Sequence, residues 1–211
     1  MLFRSTLAVR FPLVIAGSAS VKSNDLKGFL EEARQQPAKF SYASTGLGSM
    51  NHLVMEDIKR RSKADVLHVP YGGGGPAVQA VLSDTSQITL LSYAALRAQI
   101  QAGKVKALAV TGSKRLADLP QVPTVAESGF PGFEAYSWIG IFAPAATPTS
   151  VLSKLTDDFK ATLNHPDVHT KLTAGGFEVM ATDGASVDRY AREQYERWAA
   201  FVRETHIKLE Q

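Results

Sequence analysis

The chain has 211 residues and a mass of 22.8 kDa, room for one large domain or two small ones at about 100–150 residues each. Its 45% apolar and 20% charged residues are globular proportions and exclude a disordered or collagen-like chain. With no Cys there can be no disulfide, thiolate metal site or cysteine nucleophile, and a net charge of +3 suits a small anionic ligand. No basic block is longer than Lys59-Arg60-Arg61, so nucleic acid is not expected as a partner.

The opening residues, Met1-Leu2-Phe3-Arg4 and then an apolar stretch ending at Ala16-Gly17-Ser18-Ala19-Ser20, have the outline of a secretion signal. Arg10 and Pro12 interrupt the stretch, which favours a β-strand over Pro12–Ala16. Ser23-Asn24-Asp25 offers caps for a helix to Gln36 with Leu26, Phe29, Leu30 and Ala33 on one face, stopped by Pro37. Phe40–Ala43 reads as a short strand leading through a Gly-rich loop into a helix that ends on Lys59-Arg60-Arg61, where cations suit the helix dipole. A strand over Asp65–Tyr71 leads through Gly72–Pro76 into a helix to Leu82. Strand Ile88–Leu91, helix Tyr93–Ala102 and strand Val105–Val110 follow.

Short turns joining alternate strands and helices imply a parallel sheet with helices on its faces. Lys114–Pro131, with Pro120, Pro123, Gly129 and Pro131, breaks the alternation and reads as an irregular connector. Beyond it come a strand over Phe133–Ala143 and a helix to about Asn164 with Val151, Leu152, Leu155, Phe159 and Leu163 as its apolar stripe. A shorter helix starts at Pro166 and stops at Gly175-Gly176. A short strand over Phe177–Ala181 and a closing helix over Ser186–Thr205 complete the chain. No apolar run reaches the roughly 18 residues that span a bilayer.

Chemistry concentrates in two strand-to-helix turns. In Ser44-Thr45-Gly46-Leu47-Gly48-Ser49, glycines permit close backbone approach, and the free N–H groups of the following helix join the Ser and Thr hydroxyls as anion donors. The turn lies at the carboxyl end of a strand, where open parallel sheets bind ligands. A structural turn with a Ser cap accounts for the same residues. No third Gly and no Gly-Lys-Ser/Thr supports a dinucleotide or nucleotide cofactor. In Tyr71-Gly72-Gly73-Gly74-Gly75-Pro76, many backbone donors are uncovered and Tyr71 adds a hydroxyl; a flexible turn is again the alternative. Ser44 or Ser49 with His52 or His68 could also be drawn as a nucleophile–base pair, which would make the chain an α/β hydrolase or transferase, although no Gly-x-Ser-x-Gly elbow is present. His165 and His169 are four apart without the Glu of a metalloprotease helix, so no metal site is expected.

Several motifs in order carry a resemblance. Leu119-Pro120-Gln121-Val122-Pro123-Thr124-Val125-Ala126-Glu127-Ser128-Gly129-Phe130-Pro131-Gly132-Phe133 resembles the signature of the tripartite tricarboxylate transporter solute receptors, the Bug family. Trp138-Ile139-Gly140 running to Ala143-Pro144-Ala145-Ala146-Thr147-Pro148 resembles the segment that follows it. Tyr42–Leu53, His68–Pro76 and Ala102–Thr111 match too, so the likeness spans about residues 11–207.

The resemblance implies an α/β, periplasmic-binding-protein-like (type II) fold of two lobes with parallel or mixed sheets and a cleft, the first lobe incomplete. Residues 1–16 would form the crossing strand and remnant of lobe one, 17–115 lobe two, 116–136 the connector, and 137–211 the C-terminal part of lobe one. It implies a periplasmic solute-binding protein, not an enzyme, capturing a small carboxylate for membrane transporter subunits without a cofactor. The Ser44–Ser49 loop corresponds to a carboxylate-binding loop of the family. The expected ligand-binding set is Ser44, Thr45, Gly46, Gly48, Ser49, His52, Tyr71, Gly72, Gly73 and Ser92.

Three departures stand out. The family's opening strand–loop–helix of lobe one is not in this sequence, which raises the expectation of self-association through an incomplete lobe, or of a receptor fragment without function. Gly72 replaces a frequent polar residue. Leu91 and Ser92 stand where the family often has Asp, which removes partners for an amino-acid ligand.

Overall fold

The computed structural model describes residues 2–207, with side chains from Thr6 onward. Met1 and residues 208–211, outermost in the segments assigned above to lobe one, lie outside the described residues. The elements run β1 (Leu2–Gly17), α1 (Leu26–Gln35), β2 (Phe40–Ser44), α2 (Met50–Ser62), β3 (Val66–Pro70), α3 (Gly74–Leu82), β4 (Ile88–Ser92), α4 (Tyr93–Gln101), β5 (Lys106–Val110), β6 (Tyr136–Pro144), α5 (Thr149–Asn164), α6 (Pro166–Ala174), β7 (Glu178–Val179) and α7 (Gly184–Thr205). The described residues form two compact units, one of Pro12–Tyr136 and one of residues 2–11 together with 137–207. Among the described residues, no helix is long and apolar enough to cross a membrane.

In the Pro12–Tyr136 unit the strand order is β3-β2-β4-β1-β5. β2 is parallel to both β3 and β4, and β1 is antiparallel to β4 and β5. The sheet is therefore mixed where strand–helix alternation alone predicted a parallel one: β1 is inserted, reversed, between β4 and β5. β1 also extends well back from Pro12. Its later residues, Leu13–Gly17, pair with β4, while Val9 and Arg10 pair with β7. Pro12 sits between those ladders, where its missing N–H costs least.

The core of this unit joins Val14, Ala43, Leu91 and Val110 from the strands to Ala77, Val81 and Leu96 from the helices. α1 starts at Asp25, whose side chain accepts the Gly28 N–H at 2.7 Å, and buries the four apolar residues of its stripe. The connector is not a free strap. Leu119 and Val122 enter the core, and the Val125 N–H donates to Val110 O at 2.8 Å.

In the other unit, β1 meets β6 and β7. Arg10 pairs with Glu178 at 2.7 Å, and the Phe11 and Phe177 rings meet edge to face at 5.0 Å. α7 buries Val187, Trp198 and Phe201. α5 buries only Leu152 and Leu163 of its stripe, and α6 buries none of its residues.

Candidate ligand-binding site

Parallel pairing brings the carboxyl ends of β3, β2 and β4 to one edge of the sheet. Each strand runs into a helix there, so the amino ends of α2, α3 and α4 share that edge. An α-helix leaves its first N–H groups without intrahelical partners and carries partial positive charge at that end. In α2, Ser49 satisfies one of them, its Oγ accepting the His52 N–H at 3.4 Å, while its carbonyl accepts the Leu53 N–H at 3.0 Å as the first bond of the helix. The Met50 and Asn51 N–H groups remain. In α3 the Ala77 N–H is bonded to Gly73 O, and Pro76 has no N–H, which leaves those of Gly74 and Gly75. In α4 the Ser92 Oγ accepts the Ala95 N–H at 3.4 Å, which leaves those of Tyr93 and Ala94.

The loop between β2 and α2 is tied internally. Gly46 and Gly48 take φ of +127° and +71°, conformations that L side chains rarely adopt. The Gly46 N–H donates to Ser44 Oγ at 3.1 Å, and Ser49 Oγ donates to Gly46 O at 2.7 Å. Thr45 Oγ1 donates to Asn51 Oδ1 at 2.7 Å, and Asn51 Nδ2 donates to Leu90 O in β4. The Gly48 N–H donates to His52 Nδ1 at 3.1 Å, and Ser44 Oγ lies 2.7 Å from His68 Nε2.

Beneath the loop lies an aromatic stack. Tyr42 and His68 are direct partners in the β2–β3 register, and their rings stack at 4.8 Å. The His68 ring in turn stacks on His52 at 4.0 Å and 9°. Tyr42 Oη donates to Glu56 Oε1 at 2.6 Å, and Lys59 Nζ pairs with the same oxygen at 2.7 Å. Burial, with the Glu56 carboxylate at its hydroxyl, pushes the Tyr42 phenol far up. Burial lowers both imidazoles against the opposing pull of Glu56, and takes His68 down to about 4.

The expected residues thus come together at one sheet edge in different roles. Gly48 and Gly72 are exposed, and a side chain at Gly72 would meet open space. Thr45, Gly46, Ser49, Tyr71, Gly73 and Ser92 are partly exposed; the Tyr71 N–H holds Ser44 O at 3.1 Å. Ser44 and His52 are buried, and Ser44 has no exposed surface at all. Leu91 faces the core. Asn51, which joins the loop to β4, was not anticipated. Asn two residues after a Ser cap was its only sequence signal.

The nucleophile–base alternative gains little from this geometry. Ser44 has the 2.7 Å contact with His68 but is sealed from solvent. Ser49 gives its proton to Gly46 O, and His52 Nδ1 already accepts the Gly48 N–H. His165 and His169 lie exposed, and among the described residues no three His, Asp or Glu side chains gather as metal ligands would.

Residues 5–207 match the tripartite tricarboxylate transporter family receptor, TctC. The chain belongs to this family. Solved structures share its fold, among them these three. A Rhodopseudomonas palustris protein with adipate is 28% identical with a TM-score of 0.92, over 96% of this chain and 68% of that one. The periplasmic binding protein BugD is 29% identical with a TM-score of 0.92, over 98% and 70%. MatC from Rhodopseudomonas palustris, with bound malate, is 28% identical with a TM-score of 0.88, over 95% and 69%. They bear out the periplasmic-binding-protein-like α/β class. The chain spans 61% of the length of the first curated relatives that it matches.

Proposed function

We propose that this chain is the ligand-capturing part of a periplasmic receptor, which binds a small carboxylate through the edge formed by the ends of β2, β3 and β4 and presents it to membrane transporter subunits without making or breaking a bond. The supporting observation is the convergence of three helix amino ends, each with two unpartnered N–H groups, on one edge of the sheet. Such an array prefers a compact anion to a cation or an apolar molecule. Thr45, Gly46, Gly48 and Ser49 supply the first loop, Tyr71, Gly72 and Gly73 the second, and Ser92 the third. Ser44 and His52, being buried, act from behind the loop. Adipate and malate in two solved relatives point to dicarboxylates.

The test is amide NMR of the 211-residue chain titrated with adipate, malate and a monocarboxylate. Saturable shifts at Gly48, Met50, Asn51, Gly74 and Ala94 are expected. Gly48→Val, which strains a φ of +71° and blocks backbone approach, should weaken binding by about tenfold or more. Shifts confined to other residues, or equal affinity for Gly48→Val, would reject the assignment. Turnover of ester or amide substrates would restore the hydrolase reading.

A further inference from the structure

We infer that His52 and His68 are positioning residues: a stacked pair of neutral imidazoles, each offering a lone pair to the ligand loop, whose protonation unlocks that loop. This rests on the proposed binding edge, but it is carried by the bonds beneath it.

Each imidazole has one nitrogen turned to the loop. At His52 the partner is a backbone N–H, that of Gly48, which can only donate. Nδ1 must therefore be the acceptor, and the neutral ring carries its proton on Nε2. At His68, Ser44 Oγ already accepts the Gly46 N–H, so its own proton is free to go outward. Its two acceptors are His68 Nε2 at 2.7 Å and Gly46 O at 3.2 Å, and Gly46 O already receives Ser49 Oγ. The shorter, less crowded bond places the proton toward His68, whose ring then carries its own on Nδ1. The two rings thus hold opposite tautomers, both with an acceptor aimed at the loop.

An imidazolium has no lone pair on either nitrogen. Protonating His52 sets two N–H groups against each other at Gly48 and removes the bond that ties the loop to α2. Protonating His68 reverses the Ser44 hydroxyl. Two stacked cations 4.0 Å apart would also repel. The charged and titratable groups facing the pair are Glu56 and Lys59 of α2 and the Tyr42 hydroxyl of β2. Glu56 favours protonation, but it is shared between Tyr42 and Lys59. Burial dominates and keeps both rings neutral at pH 7.

The experiment uses the 211-residue chain without ligand. Long-range proton–nitrogen NMR at pH 7.5 should show Nε2–H for His52 and Nδ1–H for His68. His52→Asn keeps an acceptor near the Nδ1 position and His68→Gln keeps one near Nε2, and neither replacement titrates. His52→Leu should speed Gly48 amide exchange about tenfold, the effect of losing one hydrogen bond, while His52→Asn should stay near wild type. On acidification from pH 7.5 to 4 the Gly48 amide should shift in wild type and stay fixed in the Asn/Gln double variant. With adipate as probe, wild type should lose affinity relative to the double variant as pH falls. The opposite tautomer at His52, or an equal acid shift of Gly48 in the double variant, overturns the inference. Should His52→Leu not fold, the wild-type tautomers and the double variant still decide it. If adipate leaves the loop amides unmoved while the tautomers and exchange behave as stated, the binding assignment fails and the imidazole lock stands.

Discussion

Asn51 fastens the start of α2 to the end of β4: its Nδ2 donates to Leu90 O, while its Oδ1 accepts from Thr45. One buried amide thereby sets the spacing between two of the three converging loops. Asn51→Leu would leave the Leu90 carbonyl and the Thr45 hydroxyl unpaired in a site that is 8% exposed. A loss of about 1–3 kcal/mol in urea unfolding is expected, together with shifted amides at both Thr45 and Ser92. A neutral substitution would mean that water replaces the amide.

Much of the fold, the edge included, was legible because its signals are local. Ser49, Asp25 and Pro166 mark helix starts through their own chemistry, and glycines mark turns wherever φ must be positive. The roles of His52 and His68 were not legible. Their stacking depends on the register that puts Tyr42 beside His68 and on the face that α2 turns to the sheet, both set by non-local pairing. The buried state of Ser44 has the same origin. The connector read as irregular and is irregular, yet its Leu119, Val122 and Val125 are buried. Apolar residues without a period of 2 or 3.6 give no sign of the surface they cover.

Ser49 separates capping from ligand binding. Ser49→Ala removes the acceptor for the His52 N–H and the donor to Gly46 O, at a cost of about 1 kcal/mol of stability. Ser49→Asp restores the cap and suits the helix dipole, but adds a negative charge at the proposed anion site. Its urea midpoint should return toward wild type while adipate binding is abolished. Binding retained by Ser49→Asp would move the ligand away from the α2 terminus.

The unit containing β6 and α5 is expected to self-associate. Ile139, Phe142 and Val151 are 49%, 37% and 46% exposed, and α6 buries none of its side chains. Uncovered apolar groups of this size favour association. Light scattering across a dilution series should show mass above 22.8 kDa, falling when Ile139, Phe142 and Val151 are changed to Ser. A monomer at all concentrations would show that these side chains are tolerated singly in water.

Stability should fall with acid in a window set by His68. Burial takes its folded value down to about 4 from the ordinary 6.5. Above 6.5 the ring is neutral in both the folded and unfolded chain, and its contribution is fully present. Between 6.5 and about 4 the unfolded chain takes up a proton that the folded chain refuses, so stability drops with each step down in pH. Below about 4 both forms are protonated and the loss levels off. Carboxylates titrate near the lower end too, so the comparison is with His68→Gln, which keeps an acceptor for Ser44 and cannot take up the proton. Urea unfolding at half-unit steps from pH 7.5 to 4 should show the two curves diverging below about 6.5, with wild type falling faster. Parallel curves would show that the ring takes up its proton in the folded chain as readily as in the unfolded one, and that burial beneath the loop does not hold it neutral.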